Sequence, residues 1–204
     1  RAARRAELLQ LLKDLGARLI LGSQHRDQVV SLLEEAVATG TQIAAVEDVL
    51  RVPYEELSIS SQEGRTRAVM KIQEGCDRFC AYCIIPHVRG GIRSRTPDMV
   101  RAEALRLVNA GYREIVLTGI HLASYGNDFR DDKAGKGLIE IAEKIHDLPG
   151  IERIRLSSLE PVIITDAFIS RAKLLPKLCP HYHISLQSGC DATLMRMNRR
   201  YTAE

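Results

Sequence analysis

Three of the chain's five cysteines, Cys76, Cys80 and Cys83, fall within eight residues of the segment Gly75-Cys76-Asp77-Arg78-Phe79-Cys80-Ala81-Tyr82-Cys83. Thiols serving only as small apolar fillers are scattered through strands and helices. Three of them in one short loop can turn toward a common point but cannot bridge comfortably to each other. The spacing C-x3-C-x2-C therefore fits a single metal centre.

Which metal it holds is a question of ligand number. Structural zinc takes four protein ligands, usually as two separated pairs. His87 is available as a fourth, although four ligands packed into twelve residues make an unusual zinc module. A disulfide with one spare thiol has little support, because nothing in the sequence suggests an oxidising compartment. An iron–sulfur cube is held by cysteine thiolates, and soft sulfur ligands select it over hard cations. Three thiolates leave one of its irons open to an exogenous ligand, as an open position marks a reactive zinc site.

With Tyr82 as the aromatic, C-x3-C-x-(aromatic)-C resembles the signature of the radical S-adenosylmethionine (SAM) enzymes. The flanks, Lys71-Ile72-Gln73-Glu74-Gly75-Cys76 before and Ile84-Ile85-Pro86, Arg89-Gly90 and Arg93-Ser94-Arg95 after, are similar to the methylthiotransferase branch. Val116-Leu117-Thr118-Gly119-Ile120-His121 resembles the members that thiomethylate N6-threonylcarbamoyladenosine in tRNA.

A chain of 204 residues with 45% hydrophobic and 27% charged residues reads as an ordinary soluble globular protein of one or two domains. A net charge of +3 is too mild to argue for nucleic-acid binding from overall charge. The apolar runs are too short to span a bilayer, so no membrane association is expected. Glu7, Gln10, Lys13 and Asp14 interrupt any signal-peptide core after Arg1, Arg4 and Arg5, which leaves a cytoplasmic reading. The opening on Arg1 and the close on Thr202-Ala203-Glu204 suggest a fragment.

Leucines 8, 9, 11, 12 and 15 predict a helix over residues 2–15, Arg18 to Leu21 a strand, and Asp27 to Ala38 a second helix. Between 41 and 66 the periodicity lapses, and Pro53, Ser58, Ser60, Ser61 and Gly64 indicate a connector. We therefore expect two domains, 1–62 and 63–204. Beyond the connector, strands are predicted at 67–73, 114–118, 153–156 and 183–186. Helices are predicted after Thr96-Pro97, over 137–148, after Thr165 and from Asp191. The alternation is that of βα units around a parallel sheet. The fold class is α/β: a partial radical SAM (βα) barrel, truncated after about four units, preceded by the end of an α/β N-terminal methylthiotransferase domain. A barrel stopped there would leave an unpaired parallel edge.

Active sites of such folds gather at the C-terminal ends of the strands. The resemblance implies that Cys76, Cys80 and Cys83 bind a 4Fe-4S cluster with SAM at the open iron. It implies further that Gln187 and Ser157 meet polar groups of SAM, that Thr118 and Gly119 line its methionine or ribose side, and that the backbone near Tyr82 approaches the adenine. Arg199 is a candidate for the SAM carboxylate, since a guanidinium fork suits that group. Polar residues after strands also serve as caps and turn formers. Cys179 and Cys190 are set apart as packing residues, and the histidines as framework residues. Arg89, Arg93 and Arg95, with Arg196, Arg199 and Arg200, are candidates for phosphate contact, and a solvated helix face explains the last three about as well.

The resemblance further implies a reaction in which a 5'-deoxyadenosyl radical takes hydrogen from an adenosine of the anticodon loop, and a methylthio group reaches its C2. It implies tRNA and SAM as partners, with an electron donor such as flavodoxin or ferredoxin. A second 4Fe-4S cluster is expected only in the full-length protein, because residues 1–75 contain no cysteine. Two alternatives stay open: a methylthiotransferase acting on a ribosomal protein, and a non-enzymatic zinc or iron–sulfur module.

Overall fold

The computed structural model describes residues 2–46, 53–57, 64–129 and 137–204. It divides into two units, Arg1–Leu57 and Ser58–Glu204. The boundary expected between 62 and 63 lies outside the described residues.

In the first unit, helix α1 (Ala2–Asp14) leads through Gly16 to strand β1 (Leu19–Leu21). A 3-10 turn at Arg26–Gln28 precedes α2 (Val29–Thr39), which ends on Gly40 in the left-handed conformation. A strand within the expected connector, β2 (Ile43–Ala45), pairs parallel with β1, matching Ile20 to Ala44. Ile20 and Ala36 are buried, whereas Leu8, Leu11, Val30, Leu33 and Val37 are exposed. Two short strands and two helices offer too little surface to cover both helical stripes.

The second unit is built on alternation. In β3 (Ala68–Glu74), Ala68, Met70 and Ile72 are buried; in β5 (Glu114–Gly119), Ile115 and Leu117; in β6 (Arg153–Leu156), Ile154 and Leu156. With a side-chain period of two, these residues share the face that packs against α4 (Pro97–Asn109) and α5 (Leu138–His146). Val100, Ala104 and Leu107 of α4, with Ile141, Ala142 and Ile145 of α5, complete the core. Each large aliphatic side chain buried here contributes about 1.5–3 kcal/mol. Thr96 caps α4 by accepting from the Met99 amide, and Thr165 caps α6 (Asp166–Ala172) by accepting from that of Phe168.

β3, β5 and β6 run parallel as expected, but the sheet gains an antiparallel edge strand, β4 (Arg93–Ser94), in the order β4-β3-β5-β6. Arg93 and Arg95 are consequently 9% and 5% exposed, and their burial removes them from a phosphate-facing surface. The strand predicted at 183–186 is reduced to an isolated parallel bridge between Ile184 and Leu159. Its backbone turns in on itself, since Leu186 N–H donates to Ile184 and Ser188 N–H to Leu186, and Gln187 has φ 64°. The edge of β6 is not left open. Ile154 N–H donates to Lys177 at 2.7 Å, and Cys179 N–H returns a bond to Ile154 at 2.8 Å. Helix α7 (Asp191–Arg196) follows.

Candidate functional site

The exit of β3 is fixed by one buried amide. Gln73 is fully buried, and its Nε2 donates to the carbonyls of Glu74 and Gly75 at 2.9 and 2.8 Å. Its Oε1 accepts from the His121 backbone amide at 2.7 Å, which ties in the loop after β5. Gly119 lies under this side chain: a Cβ there would stand 2.8 Å from Gln73 Oε1. Gly75 has φ 73°, and a Cβ on it would fall 1.8 Å from the Gly91 carbonyl oxygen. Only glycine fits where the chain enters the cysteine loop.

Cys76 N–H donates to the Gly90 carbonyl at 3.0 Å and closes the loop at its base. Within the loop Phe79 adopts φ 48°, and Cys83 N–H donates to Cys80 at 2.9 Å. A short helix, α3 (Ile85–Val88), follows. Cys76 and Cys80 are each 8% exposed and Cys83 is half-buried; all three are free thiols. Burial raises the Cys76 thiol above its usual range, and the neighbouring Cys80 and Cys83 add to this against a backbone hydrogen bond at Arg78.

The far end of the chain clamps the loop. Asn198, with φ 57°, donates its side-chain amide to the carbonyls of Phe79 and Arg78 at 2.9 and 3.4 Å. Ala81 N–H donates to the Met197 carbonyl at 3.1 Å. The next residue, Arg199, donates from Nη1 to Cys80 Sγ at 3.1 Å and from Nε to Tyr201 Oη at 3.2 Å.

Beneath these residues lies Glu160, 3% exposed. Its Oε2 meets Arg78 Nη2 at 2.9 Å and His121 Nε2 at 3.0 Å, and its Oε1 meets Arg199 Nη2 at 3.4 Å. Burial acts to raise its pKa. The hydrogen bond from His121 and the guanidiniums of Arg78 and Arg199 outweigh that and hold the carboxyl below the usual range. The same surroundings act on Arg199. Burial works against its charge, but Tyr201, Cys80 and Glu160 hold its pKa above the ordinary arginine value. Glu160 thus joins the cysteine loop, the loop after β5 and the segment after α7.

Of the residues expected around SAM, Tyr82 and Gln187 meet directly, through Tyr82 Oη and Gln187 Oε1 at 3.1 Å. Burial raises the Tyr82 pKa, with Arg199 acting in the opposite sense. Thr118 and Gly119 end β5 beside Gln73, and Ser157 follows β6 with its amide donating to Leu117 at 3.0 Å. A polar cavity of about 250 Å³ opens beside the loop, lined in part by Asp77, Arg78, Ser124, Asn127, Asp128 and Arg200. Tyr82, Thr118, Gly119, Ser157, Gln187 and Arg199 stand outside it. The sequence places Glu160 on the rim, in the Ser157-Ser158-Leu159-Glu160 loop after β6, but does not single out Gln73, Arg78 or Asn198.

Among the described residues, no group of three or more His, Cys, Asp and Glu side chains converges on a point where one metal ion would sit. A single zinc, with bonds of about 2.3 Å to each sulfur, needs such convergence. An iron–sulfur cluster does not, because each cysteine binds a different iron and the thiolates stand around a larger body. Three free, largely buried thiols on a braced loop are a donor set that fits a cluster.

The model of the radical SAM superfamily matches residues 70–204. The threonylcarbamoyladenosine tRNA methylthiotransferase MtaB of Bacillus subtilis is 42% identical over 190 residues, 93% of this chain and 42% of the relative. The protein of the same name from Thermotoga maritima is 38% identical over the same shares. The chain thus spans somewhat under half the length of the curated relatives it matches. Among solved structures, the cobalamin-dependent SAM radical enzyme OxsB with aqua-cobalamin bound aligns with a TM-score of 0.50 at 16% identity. That alignment covers 66% of this chain and 20% of OxsB, and it is a likeness of fold. Radical SAM enzymes use a 4Fe-4S cluster and SAM. The braced three-cysteine loop after the parallel strand β3, with the match over 70–204, places the chain in the radical SAM superfamily.

Proposed function

We propose that this chain is the SAM-cleaving part of a methylthiotransferase that modifies C2 of N6-threonylcarbamoyladenosine next to the anticodon of tRNA. The observation that carries the reading is the 42% identity, sustained over 93% of the chain, to a relative of that name. Cys76, Cys80 and Cys83 hold the 4Fe-4S cluster, and Tyr82, Thr118, Gly119, Ser157, Gln187 and Arg199 surround SAM. When bound, the cluster supplies the electron that cleaves SAM to a 5'-deoxyadenosyl radical.

The chain's own residues position and enclose. Gln73 sets the exit of β3 against the loop after β5. Asn198 and Met197 hold the outer side of the cysteine loop, and Glu160 gathers the charges beneath it. Single-stranded loops present unstacked bases, so an adenosine of the anticodon loop can reach such a rim. The electron comes from a donor such as flavodoxin or ferredoxin, and the sulfur from a second cluster in the full-length protein. No helix among the described residues is long and apolar enough to cross a membrane, and we place the protein in the cytoplasm with its tRNA.

The test uses the full-length protein that carries this sequence, reconstituted anaerobically and given SAM, a reductant and tRNA bearing N6-threonylcarbamoyladenosine. Nucleosides from the digested tRNA are expected to gain the mass of a methylthio group, and a Cys80→Ala protein is expected to leave them unchanged. Cleavage of SAM without any change in the nucleoside would overturn the assignment of substrate.

A further inference from the structure

Arg199 has every side-chain nitrogen engaged. Its side chain is 9% exposed, with Nη2 3.4 Å from Glu160 Oε1, Nε donating to Tyr201 Oη at 3.2 Å, and Nη1 donating to Cys80 Sγ at 3.1 Å. The guanidinium carbon lies 5.3 Å from the centre of the Tyr201 ring. Tyr201 is itself anchored, since its hydroxyl donates to the Leu186 carbonyl at 2.8 Å. A guanidinium held by a carboxylate, a phenol and an aromatic face has its last edge set in direction. That edge faces the sulfur of Cys80.

We infer that Arg199 tunes the reduction potential of the cluster through the sulfur of Cys80, with Glu160 as the residue that positions it. The inference rests on the reading that Cys76, Cys80 and Cys83 hold a 4Fe-4S cluster. Reduction adds one negative charge to the cluster. A cationic N–H donor on a ligating sulfur stabilises the reduced form more than the oxidised one, and hydrogen bonds to the sulfurs are among the factors that set such potentials. Burial keeps water from screening the effect. Glu160 alone would oppose it, but Arg78, 2.9 Å from the same carboxylate, offsets that charge. The local field at Cys80 therefore stays positive. This role also differs from fixing the carboxylate of SAM, because it acts before SAM arrives.

The experiment is a redox titration of the full-length, reconstituted, SAM-free protein, followed by electron paramagnetic resonance. The signal to follow is the one whose shape changes when SAM is later added, which separates this cluster from any other. Iron and sulfide per chain are measured in parallel. Arg199→Gln is expected to load as the wild type does and to be about tenfold harder to reduce, a potential about 59 mV lower for a one-electron couple. An unchanged potential at equal loading overturns the inference. So does an unchanged potential with weakened SAM binding, which would leave Arg199 only its place beside SAM. If Arg199→Gln loads no cluster, Arg199→Lys carries the test: it keeps the charge but not the fork, a smaller fall is expected, and a wild-type potential overturns the inference. Wild-type protein that takes up no cluster overturns the cluster reading as well, so the two failures are distinct.

Discussion

The side-chain amide of Asn198 donates to the carbonyl of Phe79 at 2.9 Å, joining residues 119 positions apart in the chain. Phe79 sits in the left-handed region, with φ 48°, and Asn198 does the same with φ 57°. The loop therefore owes part of its shape to a segment distant in sequence. Asn198→Ala is expected to destabilise the second unit by about 1 kcal/mol, the net worth of a hydrogen bond. It should also raise the rate at which a chelator strips iron from the reconstituted protein. A stripping rate equal to wild type would show that the loop holds its shape without the clamp.

The cysteines divide into two groups. Serine at Cys76, Cys80 or Cys83 is expected to abolish SAM cleavage and to leave iron well below the roughly four atoms per chain of one cluster. Serine at Cys179 or Cys190 is expected to leave both unchanged. Iron and sulfide assays with detection of 5'-deoxyadenosine check this, and stoichiometric zinc without sulfide in the wild type would rule against a cluster.

Gly75→Ala meets two obstacles together, a φ of 73° and a carbonyl oxygen 1.8 Å from the new Cβ. Backbone has to move on both sides. A loss of at least about 2 kcal/mol is expected, together with poor cluster loading. Gly189→Ala, where a Cβ meets nothing within 4 Å, is the control. Denaturant titration of the two variants compares them.

Glu114 gives the fold a defined response to acid. It receives Nε–H donors from Arg153 at 2.8 Å and Arg155 at 3.0 Å, linking β5 to β6. The Arg153 hydrogen bond is the largest influence and lowers its pKa; burial opposes this, and Arg155 reinforces it. The folded-state pKa lies below the unfolded value of about 4.3. The stabilisation is therefore present above that value and is lost as pH falls through the folded pKa. Wild type should keep its advantage over Glu114→Gln above about pH 4.3 and lose it as pH falls below that value through the folded-state pKa. Parallel melts across that range measure it; a constant gap would mean that Glu114 acts through packing.

Where a residue's neighbours lie close in sequence, the pattern was legible. The alternation of Ala68, Met70 and Ile72, the caps Thr96 and Thr165, and the cysteine spacing could all be taken from the sequence. β2 was hidden because Ile43-Ala44-Ala45 is three residues long in a polar stretch, and its pairing with β1 is a tertiary fact. β4 was hidden because Arg93 and Ser94 have the composition of a solvated turn, and only pairing with Gln73 and Glu74 makes them a strand. The predicted strand at 183–186 has a suitable composition, but the turn through Gln187 leaves it a single bridge. The role of Glu160 depends on Arg78, His121 and Arg199, which approach it from three places in the chain. No local pattern encodes such a meeting.

The shared amide of Gln73 has a mechanical consequence. Both polar atoms of its carboxamide are bonded, Nε2 to the carbonyls entering the thiol loop and Oε1 to the peptide at His121. The gap between the two loops is spanned by a single carboxamide group. Neither loop can swing outward alone without stranding a buried polar group, so a ligand entering between them meets an opening of preset width.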